Sequence, residues 1–394
     1  MALPSDPARI CADLVRIRSE NPPGSTAEVA GYVRDHLDAL GIGSRLIRKR
    51  GGRVNLLSVS RGAPLLFCGH LDVVPAGEGE WSVDPFGGEI RGGMLYGRGA
   101  SDMKGGCAAI LAAVTTLVEG GGRNLPVSLA FVADEETGGE MGIRAVLDRG
   151  ILPPCDCIVA EPTPVLHPVI GMKGLLRLTL RFRGRPGHGS LYPRVGVSAV
   201  MEAITLIEYL EKAHARVYQP PEELREPVEV SSQVLGRTFG IPDPAAVLQR
   251  ITFNPGRIEG GEKANIVASR CSLELELRIP FGASTRRILA SLRKRAGGAE
   301  MEVRSQSEPN FTPPDVSLVG ILSREIRRVH RKEPRPIVQW AASDAKHLRA
   351  AGFRVVEYGP GDLATLHGVD ERVPVRALIQ AADVYRGVIR AYTK

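Results

Sequence analysis

Short apolar runs alternate with helical stretches through the first 172 residues, and this alternation restricts the possible folds most. Leu65–Cys68, the run from Val127 and the run from Cys155 are strand-length segments without a polar face. Helical stretches at Lys104–Glu119 and Gly142–Gly150 separate them. Strand, helix, strand, helix, strand predicts an α/β fold, with a mostly parallel mixed sheet flanked by helices.

The pattern changes after Met172. "LLRLTLRFRGR" and "ASRCSLELELRIP" alternate apolar and polar residues, as strands with one solvated face do. A helix at about Val197–Arg216 and an irregular segment lie between them. We predict a smaller α+β lid domain at 173–281 that interrupts a discontinuous α/β domain, 1–172 and 282–394.

Composition limits the classes of partner. The net charge of +7 raises the question of nucleic acid, but the 51 Lys and Arg residues are dispersed and aromatic residues make up only 5%. The densest basic cluster, Arg324–Arg335, has interleaved acidic residues and suits a solvated helix face. We therefore expect no nucleic-acid partner.

No apolar window approaches the roughly 18 residues of a membrane span, and the N-terminus lacks the apolar core of a secretory signal. The six cysteines form no CxxC pair and suit reduced core thiols. These observations predict a cytoplasmic protein that does not bind membranes.

Histidine and acidic residues stand where the predicted strands end. His70 and Asp72 follow "LLFCG", Glu135 and Glu136 end "SLAFVADEE", and Glu161 ends "CDCIVAE". Since ligands bind beyond the carboxyl ends of strands in open α/β sheets, we expect these side chains to meet.

Asp102, after "LYGRGAS", and His367, after the strand "FRVVEYGPG" and a loop, extend the set. Taken singly, Asp102 could cap a helix and Glu135–Glu136 could be a solvated strand end. Together, the carboxylates would repel unless a cation neutralised them. Two histidines and several carboxylates suit Zn²⁺, with Co²⁺ or Mn²⁺ as alternatives.

Five segments in order, "GHLDVVP", "LYGRGASDMKGG", "DEETGG", "EPT" and "GPG…LHGVDE", give the chain a clear resemblance. It resembles the co-catalytic zinc hydrolase family of acetylornithine deacetylase, succinyl-diaminopimelate desuccinylase, aminoacylase and the glutamate carboxypeptidases. The resemblance implies an enzyme with two divalent metal ions that hydrolyses the amide of an N-acyl amino acid. A metallo-carboxypeptidase or dipeptidase is the alternative.

The resemblance also implies a role for each ligand. His70 and Glu161 would hold one ion, Glu136 and His367 the other, and Asp102 would bridge both. The family further implies a cis peptide after Asp102.

Two more residues receive catalytic roles from the resemblance. Asp72 would orient His70 through its second ring nitrogen. Glu135, pointing away from Glu136 along the strand, would be the general base that generates a metal-bound hydroxide as the nucleophile.

The remaining implied residues concern the substrate, a small molecule that carries a carboxylate. His188 matches a lid histidine that stabilises the oxyanion, often from the partner subunit, so 173–281 would also be a dimerisation domain and the protein a homodimer. Arg278 would pair with the substrate carboxylate, with Asn265 nearby and the amides of Gly359 and Gly361 as further donors.

Two other functions are less favoured. The dispersed arginines and the Glu135–Glu136 pair count against a nucleic-acid-binding protein with a structural metal, and the presence of every expected ligand and the base counts against a catalytically inactive relative that only binds. The chain also departs from the family. Ala341 and Ala342 stand where many desuccinylase-like members have glycine and threonine, which weakens a specific expectation of a succinyl substrate. An extra stretch, about His214–Arg250, lengthens the lid.

Overall fold

The computed structural model describes residues 4–122 and 124–393. The chain divides into two compact units. The first comprises Met1–Ile170, Phe311–Ile337 and Ser343–Lys394, and the second comprises Gly171–Asn310 and Val338–Ala342. Among the described residues, no helix has both the length and the apolar character needed to cross a bilayer.

The helices of the described residues are numbered in chain order. They are α1 (Pro7–Arg16), α2 (Ala27–Ala39), α3 (Lys104–Glu119), α4 (Ile143–Leu147), α5 (Ala199–His214), α6 (Arg225–Phe239), α7 (Pro244–Gln249), α8 (Thr285–Arg295), α9 (Ser317–His330), α10 (Ala345–Ala350) and α11 (Val375–Ala391).

The strands are numbered in the same way. They are β1 (Arg45–Arg48), β2 (Val54–Ser58), β3 (Leu65–His70), β4 (Glu89–Arg91), β5 (Met94–Tyr96), β6 (Val127–Val132), β7 (Asp156–Val159), β8 (Val169–Met172), β9 (Gly174–Arg183), β10 (Thr252–Gly260), β11 (Arg270–Ile279), β12 (Glu300–Ser307), β13 (Asn310–Phe311), β14 (Ile337–Gln339), β15 (Arg354–Glu357) and β16 (Arg372–Pro374).

The large sheet has the order β1-β2-β6-β3-β7-β15-β8-β13, with β14 paired to β8. Its centre is parallel, since β3 pairs in parallel with β6 and β7, and β7 with β15. The pairs β1–β2 and β2–β6 are antiparallel. Every residue of β3 is buried, as expected for a strand covered on both faces. The predicted mixed α/β fold is confirmed.

Helix α3 packs against α1 and α11. Its first turn lies against Ala160, the residue that follows β7. A Cβ at Gly106 would lie 2.1 Å from the carbonyl oxygen of Ala160, so only glycine permits this approach. The small residues at the start of α3 therefore bring it against the strand end that precedes Glu161.

The second unit is built on an antiparallel sheet, in the order β10-β11-β9-β12, with α5 and α8 packed against it. In β11 the apolar side chains at Leu273, Leu275 and Leu277 are buried and alternate with more exposed residues. The alternation expected for the strands of this region is therefore observed.

Two expectations for this region are wrong. Much of the stretch expected to be irregular forms α6 and α7, since Pro227 lies in the first turn of α6, where a helix tolerates it. The compact unit also continues beyond residue 281 to Asn310, because β12 pairs with β9 and α8 packs on it.

Candidate metal centre

Three predicted ligands meet at the carboxyl ends of β3 and β7. His70, the last residue of β3, is only 2% exposed, and Glu161, shortly after β7, is 7% exposed. The Nε2 atom of His70 lies 3.0 Å from Oδ1 of Asp102 and 3.8 Å from Oε1 of Glu161. These distances bring the three side chains into one cluster.

His367 faces the opposite oxygen of the same aspartate, and Glu136 lies beside His367. The Nε2 atom of His367 lies 3.2 Å from Oδ2 of Asp102 and 3.4 Å from Oε2 of Glu136. Ligand atoms of His70, Asp102 and Glu136 lie within 4.8 Å of one another. Each carboxylate oxygen of Asp102 therefore faces its own histidine, and each histidine has a second carboxylate beside it.

The charges of this cluster are strongly perturbed. Burial raises the pKa of both Glu136 and Glu161, and the nearby charge of Asp102 raises it further. Burial also acts to raise the pKa of Asp102, but hydrogen bonds from His367 and His70 outweigh it and hold that pKa below its usual range. The hydrogen bonds to Asp102 and Glu136 raise the pKa of His367 to about 10.

The donor set fits divalent cations. Carboxylates and imidazoles are ligands that Zn²⁺ and neighbouring transition metals accept. Oε1 of Glu136 is buried and has no hydrogen-bond partner, a costly state for a carboxylate oxygen that a cation would relieve. The side chains around Asp102 are therefore a candidate metal centre.

The alternative expectation for Asp102, that it caps a helix, is wrong. Helix α3 begins at Lys104 with Met103 as its N-cap residue, so Asp102 does not cap it. The peptide bond between Asp102 and Met103 is cis, as the resemblance implies.

Asp72 contacts His70 differently from the expectation. The Nδ1 atom of His70 lies 2.8 Å from the backbone oxygen of Asp72 and 3.7 Å from its carboxylate. The carboxylate instead accepts hydrogen bonds from the backbone N–H groups of Glu135 and Glu136, at 3.1 and 3.2 Å. Because β3 ends at His70, the chain turns and presents a main-chain carbonyl to the ring.

Glu135 and Glu136 do not end a strand, contrary to the expectation. Strand β6 stops at Val132, and the two glutamates lie in the 3₁₀ turn Glu135–Thr137. Asp134 precedes them with a left-handed φ of 71°, which turns the chain away from the strand direction. The two glutamates are therefore presented by a turn and not by the end of a strand.

Asp134 holds this turn, and the sequence analysis did not identify it. Its carboxylate accepts hydrogen bonds from the Met141 amide (2.9 Å), the Thr137 hydroxyl (2.8 Å), Arg53 Nε (2.8 Å) and Asn21 Nδ2 (3.3 Å). Since its partners come from distant segments, only its position beside the glutamate pair could have drawn attention to it.

The loop after β15 was expected to supply amide donors. The amide of buried Gly359 donates to the hydroxyl of Thr163 at 3.4 Å, so this amide already has a partner. Gly361 is half-buried and packs closely on Pro162, where a Cβ would lie 2.4 Å from the proline Cβ.

His188, Asn265 and Arg278 belong to the second unit. His188 and Asn265 are both exposed. Their loops are neighbours, since the Gly189 amide donates a hydrogen bond to the Asn265 carbonyl at 2.8 Å. The Nε atom of Arg278 donates to Glu276 at 2.7 Å, while its Nη1 atom is buried without a hydrogen-bond partner.

Comparisons with known proteins agree with this geometry. The sequence profile described as peptidase family M20/M25/M40 matches residues 66–391. A succinyl-diaminopimelate desuccinylase from Caulobacter sp. (strain K31) is 32% identical over 406 residues, covering 98% of this chain and 96% of the relative. One from Caulobacter vibrioides (strain NA1000 / CB15N) is 33% identical over 405 residues, with the same coverage.

Among solved structures, an M20 family metallo-carboxypeptidase from Sulfolobus solfataricus has the same fold. Its TM-score is 0.82 at 22% sequence identity, and the alignment covers 98% of this chain and 99% of that chain.

Replacing Arg53 with Met should destabilise the metal-free protein by about 3 kcal/mol, because it leaves buried Asp134 without its charged partner. Arg16→Met is the matched control, because the Arg16–Asp13 pair is exposed and its loss should cost less than about 1 kcal/mol. Urea unfolding measures both losses. Equal losses in the two variants would contradict the role assigned to Asp134.

Proposed function

Because this chain belongs to peptidase family M20/M25/M40, a family of metal-dependent amidohydrolases, we propose that it removes the acyl group from an N-acyl amino acid. The observation that carries the proposal is the arrangement around Asp102, whose two oxygens face two histidines, each beside a further carboxylate. The two desuccinylase relatives support acyl-group removal.

The proposed cofactors are two divalent ions, with Zn²⁺ as the first candidate and Co²⁺ or Mn²⁺ as alternatives. His70 and Glu161 would hold one ion, Glu136 and His367 the other, and Asp102 both. When bound, the ions supply the positive charge that acidifies a water molecule and polarises the amide carbonyl.

Glu135 is the proposed general base. Glu135 precedes Glu136 on the same short turn, and the backbone amides of both residues donate hydrogen bonds to Asp72. The buried carboxyl group of Glu135 is close enough to interact with the charges of His70 and Glu136. The attacking water loses a proton to Glu135 as its oxygen bonds to the amide carbon. Glu135 then returns that proton to the nitrogen as the C–N bond breaks.

Residues of the second unit and the Gly359–Gly361 loop are proposed to recognise the substrate. Arg278 pairs with the substrate carboxylate, which agrees with a guanidinium that has one buried nitrogen without a partner. Asn265 and Gly361 are proposed as further contacts. His188 is proposed to donate a hydrogen bond to the oxyanion of the transition state.

We also propose that the second unit forms a homodimer. Strand β10 lies at the edge of its sheet, and its last seven residues are exposed, so its unpaired backbone groups can meet a second copy. Large apolar side chains of this unit are also exposed, namely Leu191, Val195, Val197, Met201, Ile258 and Ile266.

A metallo-carboxypeptidase or dipeptidase activity is the second candidate. The Sulfolobus metallo-carboxypeptidase has the same fold, and this likeness supports the second candidate. Ala341 and Ala342 also depart from the glycine and threonine of many desuccinylase-like members, which weakens the case for a succinyl group in particular.

The substrate class is tested by hydrolysis of N-succinyl and N-acetyl amino acids and of dipeptides, with the protein reconstituted with Zn²⁺, Co²⁺ or Mn²⁺. We expect the highest kcat/KM with an N-acyl amino acid whose carboxylate is free, and a large loss with the corresponding amide. A preference for dipeptides would favour the second candidate.

Replacing Glu135 with Ala should lower kcat by about 10³-fold, since a general base contributes rate enhancements of this order. The variant should bind the same number of metal ions as the wild type, because Glu135 is not one of the proposed ligands. Glu140→Ala, an exposed acid on the same loop, should keep wild-type kcat. Near-normal turnover in Glu135→Ala would show that another group is the base.

Light scattering should give twice the mass of one chain. Replacing Ile258 on β10 with Arg should produce monomers, because it puts a charge into the proposed interface. Ile90→Arg changes an equally exposed isoleucine on a strand of the first unit and should leave the dimer intact. A monomeric wild type would exclude the dimer.

A further inference from the structure

A buried ion pair joins the segments that carry Asp102 and His367. We propose that Arg98 and Glu371 are positioning residues that set the affinity for the second ion, defined as the ion held by Glu136 and His367. This inference rests on the proposed function, because it assumes two bound ions. Both residues lie within segments that carry the family resemblance, but neither the resemblance nor the comparisons assign a role to them.

Glu371 holds the backbone in front of the bridging aspartate. Its side chain is fully buried, and Oε1 accepts hydrogen bonds from the amides of Ser101 (3.0 Å) and Asp102 (3.1 Å). Its backbone carbonyl accepts a further hydrogen bond from the Gly97 amide at 2.8 Å. Glu371 therefore fixes the main chain of Asp102 without competing for the carboxylate oxygens that face the histidines.

Arg98 extends this support to His367. One nitrogen of its guanidinium donates to Oε2 of Glu371, and Nη2 donates to the carbonyl of His367 at 3.3 Å. The guanidinium also lies over the Trp81 ring, 5.2 Å from its centre, a cation–π contact. The Arg98 side chain is only 2% exposed and contacts all three partners, so it has little freedom to move.

The conformation of His367 explains why such support is needed. Its φ is 59°, in the left-handed region that non-glycine residues rarely adopt. Its side chain is also half exposed, so packing alone restrains it weakly. The hydrogen bond from Arg98 to its carbonyl therefore stabilises a ligand that would otherwise be mobile.

Ser101 joins the same two segments. Its hydroxyl donates to the Arg372 carbonyl at 2.6 Å and accepts from the Asp362 amide at 2.9 Å. Arg98 and Glu371 are 273 residues apart in the sequence, so these contacts bring distant segments into register. The position of His367 relative to Asp102 thus depends on a small set of buried polar contacts.

Two of the three ligands of the other ion do not depend on this pair. His70 and Glu161 follow β3 and β7, which pair directly in the centre of the sheet. Among the described residues, neither side chain is hydrogen-bonded to Arg98 or Glu371. Asp102 serves both ions, but His367 serves only the second and would lose its hydrogen bond from Arg98. Loss of the ion pair should therefore weaken the second ion more than the first.

Stability alone does not explain why the pair is retained. Burying two charges carries a large desolvation cost, and a well-packed apolar pair often serves stability as well or better. A buried pair between two ligand segments is instead suited to orienting ligands, and changes to such supporting residues typically cost 10- to 100-fold in metal affinity.

The test is calorimetric titration of metal-free protein with Zn²⁺, without substrate. The wild type should bind two ions. Arg98→Met should bind the second ion 10- to 100-fold more weakly, and the first with a clearly smaller loss. Arg349→Met is the matched control, because Arg349 is also buried and ion-paired with a buried glutamate; it should bind both ions as the wild type does.

Two further variants keep the test decisive if Arg98→Met does not fold, as checked by circular dichroism. Arg98→Lys keeps the charge but cannot reach both Glu371 and the His367 carbonyl, so it should not restore the second ion. Glu371→Gln keeps an oxygen for the two amides but holds Arg98 less tightly, so it should weaken the second ion to a lesser degree.

Unchanged affinity for the second ion in these variants, or an equal loss of both ions, would overturn the inference. A wild type that binds fewer than two ions would instead overturn the proposed function. The two failures are thus distinguishable in one experiment.

Discussion

The two-sided environment of Asp102 is the constraint on which the rest of the first unit depends. One oxygen faces His70 and the other faces His367. Glu161 and Glu136 lie beside these histidines, so several acidic groups crowd into a mostly buried space. Such a group is stable only with compensating positive charge, and two divalent ions supply it most simply.

The scaffold supports the two halves of this cluster in different ways. His70 and Glu161 follow paired parallel strands in the centre of the sheet, where burial and backbone hydrogen bonds restrict movement. Glu136 and His367 lie on a turn and a loop, and polar contacts restrain them instead. Asp72 and Asp134 hold the turn, while Arg98 and Glu371 hold the loop.

Much of this arrangement could be predicted from the sequence because it depends on local pattern. Apolar runs identified the central strands, small residues identified α3 with its exact bounds, and ligand residue types stood at the strand ends. Where local signals were weak, prediction failed. Prolines concealed α6, and the left-handed Asp134 converted an expected strand end into the turn that carries Glu135 and Glu136.

The supporting residues could not have been found in the same way. Asp134 bonds to Asn21 and Arg53, and Glu371 bonds to Arg98, so each contact joins segments far apart in the chain. Arg98 and Glu371 lie in two of the segments that carry the family resemblance, but neither segment indicates that the two side chains pair. Only the folded chain shows that these side chains are buried together.

The central claim is that Asp102 is shared by two ions, and anomalous diffraction at the zinc edge from crystals grown with Zn²⁺ tests it most directly. The account predicts two peaks next to Asp102, one contacted by His70 and Glu161 and the other by Glu136 and His367. A single peak, or zinc bound only away from Asp102, would contradict it.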